Sequence, residues 1–266
     1  MLAWLNGYNP AGYTGIVAHT YEWLTSKTDD YVYSNPAFKP SPTKEPLAVY
    51  CVHGTADQPQ AFARMARRLL RKGLPEDICS INLVAFHSRY AGNGIDFFAN
   101  QLLEKIKANN HQRVILLGHS RGGLVNGYLA EFLAKENNIQ VEAVVSFGTP
   151  FYGSYLALAP LSWFSTSVQQ MQVNNEFNGK LVERILISSI PYYFFVANND
   201  YIVEANSSSI SAYVAKKPGS LIILKTKHGH LSMLSSHEGV AKVHVILSEA
   251  SESLLEQDLP CSPSLA

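Results

Sequence analysis

The sequence predicts an α/β fold with a mostly parallel central sheet and helices on both of its faces. Short apolar runs alternate along the chain with longer segments of helical periodicity, which is the pattern of βαβ units. The apolar runs are uninterrupted, as expected for strands that are buried on both faces. With 266 residues, of which 47% are hydrophobic and 16% are charged, the chain can bury one large core. We therefore expect one large domain, with room for an insertion.

The predicted strands are the six apolar runs, which contain β-branched and aromatic residues. They cover residues 47–52, 78–86, 113–117, 141–147, 192–197 and 221–224. Apolar side chains at helical spacing predict helices over 59–72, 96–107, 123 to about 135, and 238 to about 255. A further helix is compatible with residues 16–25, and the proline-rich stretch 35–42 indicates a connector.

The predicted domain layout has three parts. Residues 1–43 form an N-terminal extension on or near the core, residues 44–258 form the α/β domain, and residues 259–266 form a flexible tail. The interval 154–190 contains no predicted strand, and apolar residues crowd its first part. Helical packing onto the core accounts for such an interval, and the alternative is a cap or lid over a site at this end of the sheet.

The pentapeptide Gly118-His119-Ser120-Arg121-Gly122 lies between a predicted strand and a predicted helix. This is the context of a nucleophile elbow, a strained turn that presents a serine hydroxyl beside a helix N-terminus. Glycines two residues before and after the serine prevent a clash between strand and helix. A glycine-rich turn with a surface serine is the alternative interpretation, since a serine hydroxyl is a poor nucleophile without a base.

An acid and a base follow Ser120 in the chain order Ser, Asp, His, which is the order found with this type of G-x-S-x-G elbow. Asp200 comes directly after the fifth predicted strand, at the carboxyl end where open α/β sheets place their ligand chemistry. Glu204, further along the same loop, is the competing acid. His230 follows the last predicted strand, and His228 is the alternative base. The base would take the serine proton and return it to the leaving group, while the acid would orient the imidazole.

Two backbone N–H groups are expected to form an oxyanion hole. One belongs to Arg121, the residue after the nucleophile. The other belongs to Thr55, which follows the apolar run that ends in His53-Gly54, with Ala56 as the alternative donor. The residues expected to line the pocket or the lid are His53, His119, Phe151, Tyr152, Trp163 and Phe164.

Together these segments resemble the α/β-hydrolase superfamily, and more narrowly its lipase and GPI-inositol-deacylase-like branch. The resemblance covers roughly residues 45–250 and is carried by 53–55, 118–124, 148–150 with 153–154, 199–203 and 229–231. It implies an α/β-hydrolase fold with a cap- or lid-like insertion after the sixth strand of that fold. It also implies hydrolysis of acyl or lipid carboxylic esters by Ser120, His230 and Asp200, without a metal or another cofactor. The chain departs from the pattern at Phe151, where lipase-like chains often carry histidine, and at 56–58, where many carry a further glycine.

Charge and hydropathy also limit the partners that the sequence predicts. The formal net charge is zero and the one basic cluster, 64–72, reads as a solvated helix face, so no nucleic-acid partner is expected. No apolar run approaches the roughly 20 residues of a membrane span, while transient contact with a lipid surface remains compatible with an ester substrate. Without a visible signal peptide, a cytoplasmic location is the default expectation, and export by another route stays open. A thioesterase, acyltransferase or amidase would use the same serine, and a non-catalytic binding protein is the alternative outside enzymes.

Overall fold

The computed structural model describes residues 28–55, 57–88, 91–154, 165–225 and 228–252, together with positions 17, 20, 21, 24 and 25. Within these residues, seven strands form one sheet in the order β1-β3-β2-β4-β5-β6-β7. The strands are β1 (Tyr31–Ser34), β2 (Leu47–Val52), β3 (Ile78–Val84), β4 (Arg113–His119), β5 (Gln140–Phe147), β6 (Tyr192–Ala197) and β7 (Leu221–Leu224). All neighbours pair in parallel except β1, which runs antiparallel to β3 at the edge of the sheet.

The described α-helices connect successive strands from β2 to β7, except the last helix, which follows β7. They are α1 (Ala63–Lys72), α2 (Ile95–Ala108), α3 (Arg121–Tyr128), α4 (Thr166–Gln170), α5 (Glu176–Leu186), α6 (Ser211–Lys216) and α7 (His237–Glu252). A 3-10 turn, Pro59–Phe62, precedes α1, and α3 continues through a π-helical turn, Leu129–Leu133, into a 3-10 turn, Lys135–Asn137. The predicted mostly parallel α/β fold is therefore confirmed.

Two hydrophobic clusters cover the two faces of the sheet, and β2 shows why. Successive side chains of a strand point to opposite faces, and every residue of β2 is buried. Leu47, Val49 and Cys51 pack in the cluster that includes α1 and α7. Ala48, Tyr50 and Val52 pack in the cluster that includes α2, α3 and α5. Helices therefore lie on both faces of the sheet.

Some elements differ from the sequence-based expectation. β1 lies within residues 1–43 and is mostly exposed, so it forms a strand through its pairing with β3 and not through burial. β3 ends at Val84, two residues before the predicted end. The interval 154–190 follows the fifth described strand, which the family resemblance counts as the sixth, and its described residues contain α4 and α5. Its role as a cap or lid stays a prediction, and Trp163 and Phe164 lie outside the described residues.

Candidate active site

The turn between β4 and α3 holds Ser120 in a strained backbone conformation. Ser120 has φ 54° and ψ −125°, in the left-handed half of φ space that favours glycine. Its N–H donates to the Phe147 carbonyl oxygen at 2.8 Å, which ties the turn to the end of β5. A strained residue persists only where its surroundings determine its conformation, and such residues cluster at active sites.

The flanking glycines allow the close approaches that the turn requires. A Cβ added to Gly118 would lie 2.5 Å from the Gly123 nitrogen, and one added to Gly122 would lie 2.1 Å from the Val52 carbonyl oxygen. Gly123 is a further such position, because a Cβ there would lie 1.9 Å from Thr149 Oγ1. Any side chain at these positions would push α3 away from the sheet.

The predicted oxyanion loop after β2 passes directly against the elbow. A Cβ added to Gly54 would lie 3.1 Å from Ser120 Cβ and 3.3 Å from His119 Nδ1. Thr55 follows Gly54 and is exposed, while Ala56 lies outside the described residues. Arg121 is the first residue of α3, so its backbone N–H belongs to the helix N-terminus, where N–H groups have no intrahelical partner. The loop and the helix start therefore flank the serine.

Asp200 and His230 form a buried hydrogen-bonded pair beside the elbow. His230 Nδ1 lies 2.7 Å from Asp200 Oδ2. Asp200 Oδ1 accepts hydrogen bonds from the backbone N–H groups of Ile202 and Val203, each at 2.9 Å. An ionised carboxylate can only accept, so in the neutral imidazole Nδ1 carries the proton and Nε2 is the acceptor nitrogen. This is the protonation state that a general base needs.

Gly148 brings the pair and the elbow together. It has φ +53°, and a Cβ there would lie 3.0 Å from Asp200 Oδ2 and 3.1 Å from His230 Nδ1. It directly follows Phe147, whose carbonyl oxygen accepts from the Ser120 N–H. Ser120 Oγ forms no hydrogen bond with another described residue, and in unliganded enzymes such contacts are often long. Sequence reasoning quoted Gly148 within a motif but missed this packing role.

The two other histidines near the elbow have different surroundings. His228 Nδ1 lies 3.2 Å from Ser232 Oγ, and burial lowers the pKa of His228 below its ordinary value. His119 Nε2 donates to the His230 carbonyl oxygen at 3.0 Å, and the two imidazole centroids are 4.6 Å apart. His119 Nδ1 also lies 3.8 Å from Oδ2 of Asp57, which belongs to the loop after β2. His119 thus contacts both the loop that carries His230 and the loop after β2. Its place in the elbow motif did not indicate these contacts.

A family model for lecithin:cholesterol acyltransferase matches residues 54–222 of the chain. The chain belongs to this family. The matched range includes Ser120 and Asp200 and ends before His230. The resemblance to lipase-like α/β-hydrolases is therefore confirmed, with the lecithin:cholesterol acyltransferase family as its specific form. A search among curated proteins finds no significant match.

Solved structures show the same α/β-hydrolase fold at low sequence identity. The mature lipase BlEst2 of Bacillus licheniformis is 18% identical, with a TM-score of 0.52 over 83% of this chain and 98% of the lipase. A putative aryl esterase of Burkholderia cenocepacia is 14% identical, with a TM-score of 0.55 over 84% of this chain and 100% of the esterase. A membrane phospholipase A that is a bacterial virulence factor is 14% identical, with a TM-score of 0.54 over 94% of this chain and 96% of the phospholipase. This member of the lecithin:cholesterol acyltransferase family thus has the fold of the α/β-hydrolases.

The remaining residues expected at the pocket lie in different places in this family member. Phe151 is fully buried and meets the Phe194 ring edge-on, with centroids 5.4 Å apart, so its side chain belongs to the hydrophobic core. His53 is also buried, and its Nδ1 lies 2.9 Å from the Gly54 carbonyl oxygen. Tyr152 is 41% exposed and lines a surface cavity of ≈ 470 Å³ together with Glu204, the competing acid. Glu204 thus faces this cavity, whereas Asp200 contacts the imidazole.

Over the ranges that the structure describes, each helix is too short or too polar to cross a bilayer.

Proposed function

We propose that this chain is a serine hydrolase of acyl or lipid carboxylic esters, with Ser120 as nucleophile, His230 as base and Asp200 as orienting acid. The observation that carries the proposal is the 2.7 Å contact between His230 Nδ1 and Asp200 Oδ2. This pair lies at the same carboxyl end of the parallel strands as Ser120, whose backbone is strained. Membership of the lecithin:cholesterol acyltransferase family supports a lipid acyl substrate.

Acylation would begin with proton transfer from Ser120 Oγ to His230 Nε2 as the oxygen attacks the ester carbonyl carbon. The Asp200 carboxylate stabilises the positive charge that then develops on the imidazole. The backbone N–H groups of Arg121 and Thr55 bind the oxyanion of the tetrahedral intermediate. When the intermediate collapses, the carbon–oxygen bond to the leaving alcohol breaks, His230 donates its proton to that alcohol, and the acyl group remains on Ser120.

Deacylation would repeat these steps with water as the nucleophile. His230 takes a proton from water, the hydroxide oxygen bonds to the acyl carbon, and the bond to Ser120 Oγ breaks as the serine regains its proton. The family name supports a second outcome, in which an alcohol replaces water and the product is a new ester. Both outcomes share the same acyl-enzyme.

A fluorophosphonate probe tests the shared part of the proposal, because it forms a stable adduct only with an activated serine. We expect the wild-type protein to be labelled at Ser120, as located by peptide mass spectrometry, and Ser120→Ala to remain unlabelled. Ser211→Ala, which removes an exposed serine hydroxyl at the start of α6, is the matched control and should label as wild type does. A folded wild-type protein that resists labelling would support the non-catalytic alternative.

The acyl acceptor is identified by product analysis with p-nitrophenyl esters of increasing chain length. Nitrophenolate release reports acylation, while free acid and new ester are quantified separately in the presence of a long-chain alcohol. For a hydrolase, free acid is the main product at every alcohol concentration. If the new ester becomes the main product in place of free acid when the protein is saturated with the alcohol, the transferase outcome is correct.

A further inference from the structure

The side chain of Arg121 is buried although the proposed chemistry uses only its backbone. It is 1% exposed and lies among the largest fully buried side chains of the described chain. Burying a guanidinium is costly unless its N–H groups find acceptors and its faces find suitable partners. The Arg121 side chain therefore needs contacts that are separate from the role proposed for its backbone N–H.

Two contacts of the Arg121 guanidinium come from different elements. Nη1 donates to Ser167 Oγ at 3.2 Å, and Ser167 belongs to α4 in the interval 154–190. The guanidinium carbon lies 4.3 Å from the ring centroid of Phe98 on α2, which is a cation–π distance. Arg121 thus joins the elbow to both α2 and α4.

α4 is held against the start of α2 by backbone hydrogen bonds. The Thr166 N–H donates to the Gly92 carbonyl oxygen at 2.8 Å, and the Ser167 N–H donates to the Asn93 carbonyl oxygen at 3.0 Å. Gln170 Oε1 accepts from the N–H of Ile95, the first residue of α2, at 2.7 Å. Ser167 is fully buried in this contact, so its hydroxyl presents a well-determined acceptor to Arg121.

The other side of α4 is connected to the loop that supports the acid and base. The Ser154 N–H donates to the Met171 carbonyl oxygen at 2.8 Å. Gly153 has φ +90°, and a Cβ there would lie 2.6 Å from the Gln172 carbonyl oxygen. The same loop begins at Gly148, which packs on Asp200 and His230. The residues directly after α4 therefore contact the loop that packs on the acid and base, while Ser167 of α4 contacts Arg121.

We propose that Arg121 is a positioning residue that couples α4 to the oxyanion hole. Its guanidinium is clamped between Ser167 and Phe98, and this clamp sets the direction of the Arg121 backbone N–H at the start of α3. The inference rests on the proposed function, because it concerns the oxyanion donor of that reaction. Preorganised donors stabilise a transition state most when they need no reorientation, so a loosened clamp lowers the rate of bond making more than substrate binding.

The geometry explains why an arginine suits this position. A planar guanidinium can lie over an aromatic ring and donate from its edge at the same time, whereas a lysine ammonium is a flexible point charge. Arg121→Lys should therefore behave as a loss variant although the positive charge is retained.

The test compares Arg121→Gln and Ser167→Ala with wild type. We measure kcat and KM for a soluble p-nitrophenyl ester, the rate of fluorophosphonate labelling, and the thermal unfolding midpoint. Losing an oriented donor lowers kcat by about 10²-fold or more, so we expect Arg121→Gln to lower kcat and the labelling rate by about 10- to 100-fold with KM changed less than about threefold. Ser167→Ala should lower both rates by about three- to tenfold, because the contact with Phe98 remains.

Arg184→Gln is the matched control. Arg184 on α5 also lies over a phenylalanine ring, with its guanidinium carbon 5.6 Å from the Phe132 centroid, and it donates to the Glu131 carbonyl oxygen away from the elbow. Its removal should leave kcat and the labelling rate unchanged. A fall equal to that of Arg121→Gln would overturn the inference, because the effect would then be a general consequence of losing such a pair.

The double variant Arg121→Gln/Ser167→Ala separates coupling from independent damage. If the contact carries the effect, the double variant loses no more activity than Arg121→Gln alone. Multiplicative losses, or unchanged kcat in folded single variants, overturn the inference while Ser120 labelling of wild type keeps the proposed function intact. If Arg121→Gln does not fold, the kcat of Ser167→Ala decides. If wild type is not labelled at Ser120, the proposed function and this inference both fail.

Discussion

The two ends of the parallel strands both hold buried charged groups, but in opposite ways. At the amino ends, the Arg113 side chain is 3% exposed and pairs with Asp77 Oδ2 at 3.0 Å. Its Nε donates to Glu142, and its Nη2 donates to the Ala250 carbonyl oxygen at 3.2 Å. Lys44 Nζ lies a further 3.0 Å from Asp77 Oδ2. Each carboxylate of this amino-end cluster meets a cation.

The pKa of Asp77 reflects this pairing. Burial alone would raise the pKa of its carboxyl group, but hydrogen bonds from Ser251, Lys44 and Arg113 outweigh burial and leave the pKa below its ordinary value. A carboxyl group with a depressed pKa stabilises the folded state above its ordinary pKa and loses that contribution as the pH falls through the folded pKa. The amino-end cluster is therefore a device for stability.

At the carboxyl ends, the polar groups are oriented without being saturated. Asp200 holds one nitrogen of His230, and Ser120 Oγ forms no hydrogen bond with another described residue. The backbone at Ser120 is strained, whereas no residue of the amino-end cluster has a positive φ. The comparison indicates that the charged groups at the amino ends of the strands stabilise the fold, whereas the strained and incompletely paired groups at the carboxyl ends suit the proposed reaction.

The largest expected effect separates the two candidate bases. His230→Ala should lower kcat/KM for a p-nitrophenyl ester by about 10⁴-fold or more, because serine loses its proton acceptor. His228→Ala should remain within about threefold of wild type, since a residue outside the reacting groups changes kcat/KM little. His228 contacts Ser232 and not Asp200, so it serves as the matched control. A loss of turnover in His228→Ala alone would assign the base to His228 instead.

The next effect tests the amino-end cluster. Arg113→Met should lower the free energy of unfolding by about 3 kcal/mol, because Glu142 loses the cation that pairs with it and Asp77 keeps Lys44 but loses Arg113. The kcat of the folded protein should stay unchanged, since the substitution lies at the amino ends of the strands, opposite the candidate active site. Urea unfolding and initial rates at low temperature measure the two quantities.

The control for Arg113→Met is Lys107→Met, which breaks an exposed ion pair with Glu104 on α2. Exposed pairs contribute about 0–1 kcal/mol, so this variant should unfold close to wild type. If Arg113→Met lowers kcat while the free energy of unfolding is unchanged, the assignment of stability to the amino ends and of catalysis to the carboxyl ends of the strands is wrong.

The smallest expected effect reports the backbone strain at Ser120, at the carboxyl ends of the strands. Ser120→Ala and Ser120→Gly should both be inactive, but the glycine variant should be more stable by about 1 kcal/mol, because glycine accepts the positive φ of this position. At Ser248, inside α7, the order should reverse, since glycine in a helix is less stable than alanine by about 1 kcal/mol. Urea unfolding of the four variants checks both orders. Equal stability of the two Ser120 variants would mean that the turn stores no strain.

Much of the fold could be predicted because its signals are local. The runs 47–52, 192–197 and 221–224 match β2, β6 and β7 at both ends, since uninterrupted apolar strands are recognisable wherever a sheet is buried on both faces. β1 could not be predicted in the same way, because four mostly exposed residues become a strand only when β3 offers a partner. α4 has only five residues, and its placement depends on contacts with α2 and Arg121.

By itself, the sequence determined the alternation of strands and helices, the glycine pattern of the elbow, and the order in which serine, acid and base follow one another. These features depend on covalent order, backbone sterics and short-range periodicity. The tertiary structure decided that His230 faces Asp200, that His119 bridges two loops, that Phe151 is buried, and that Arg121 is clamped by α4. Each of these depends on the distance between residues remote in sequence, which is set only when the helices pack on the sheet.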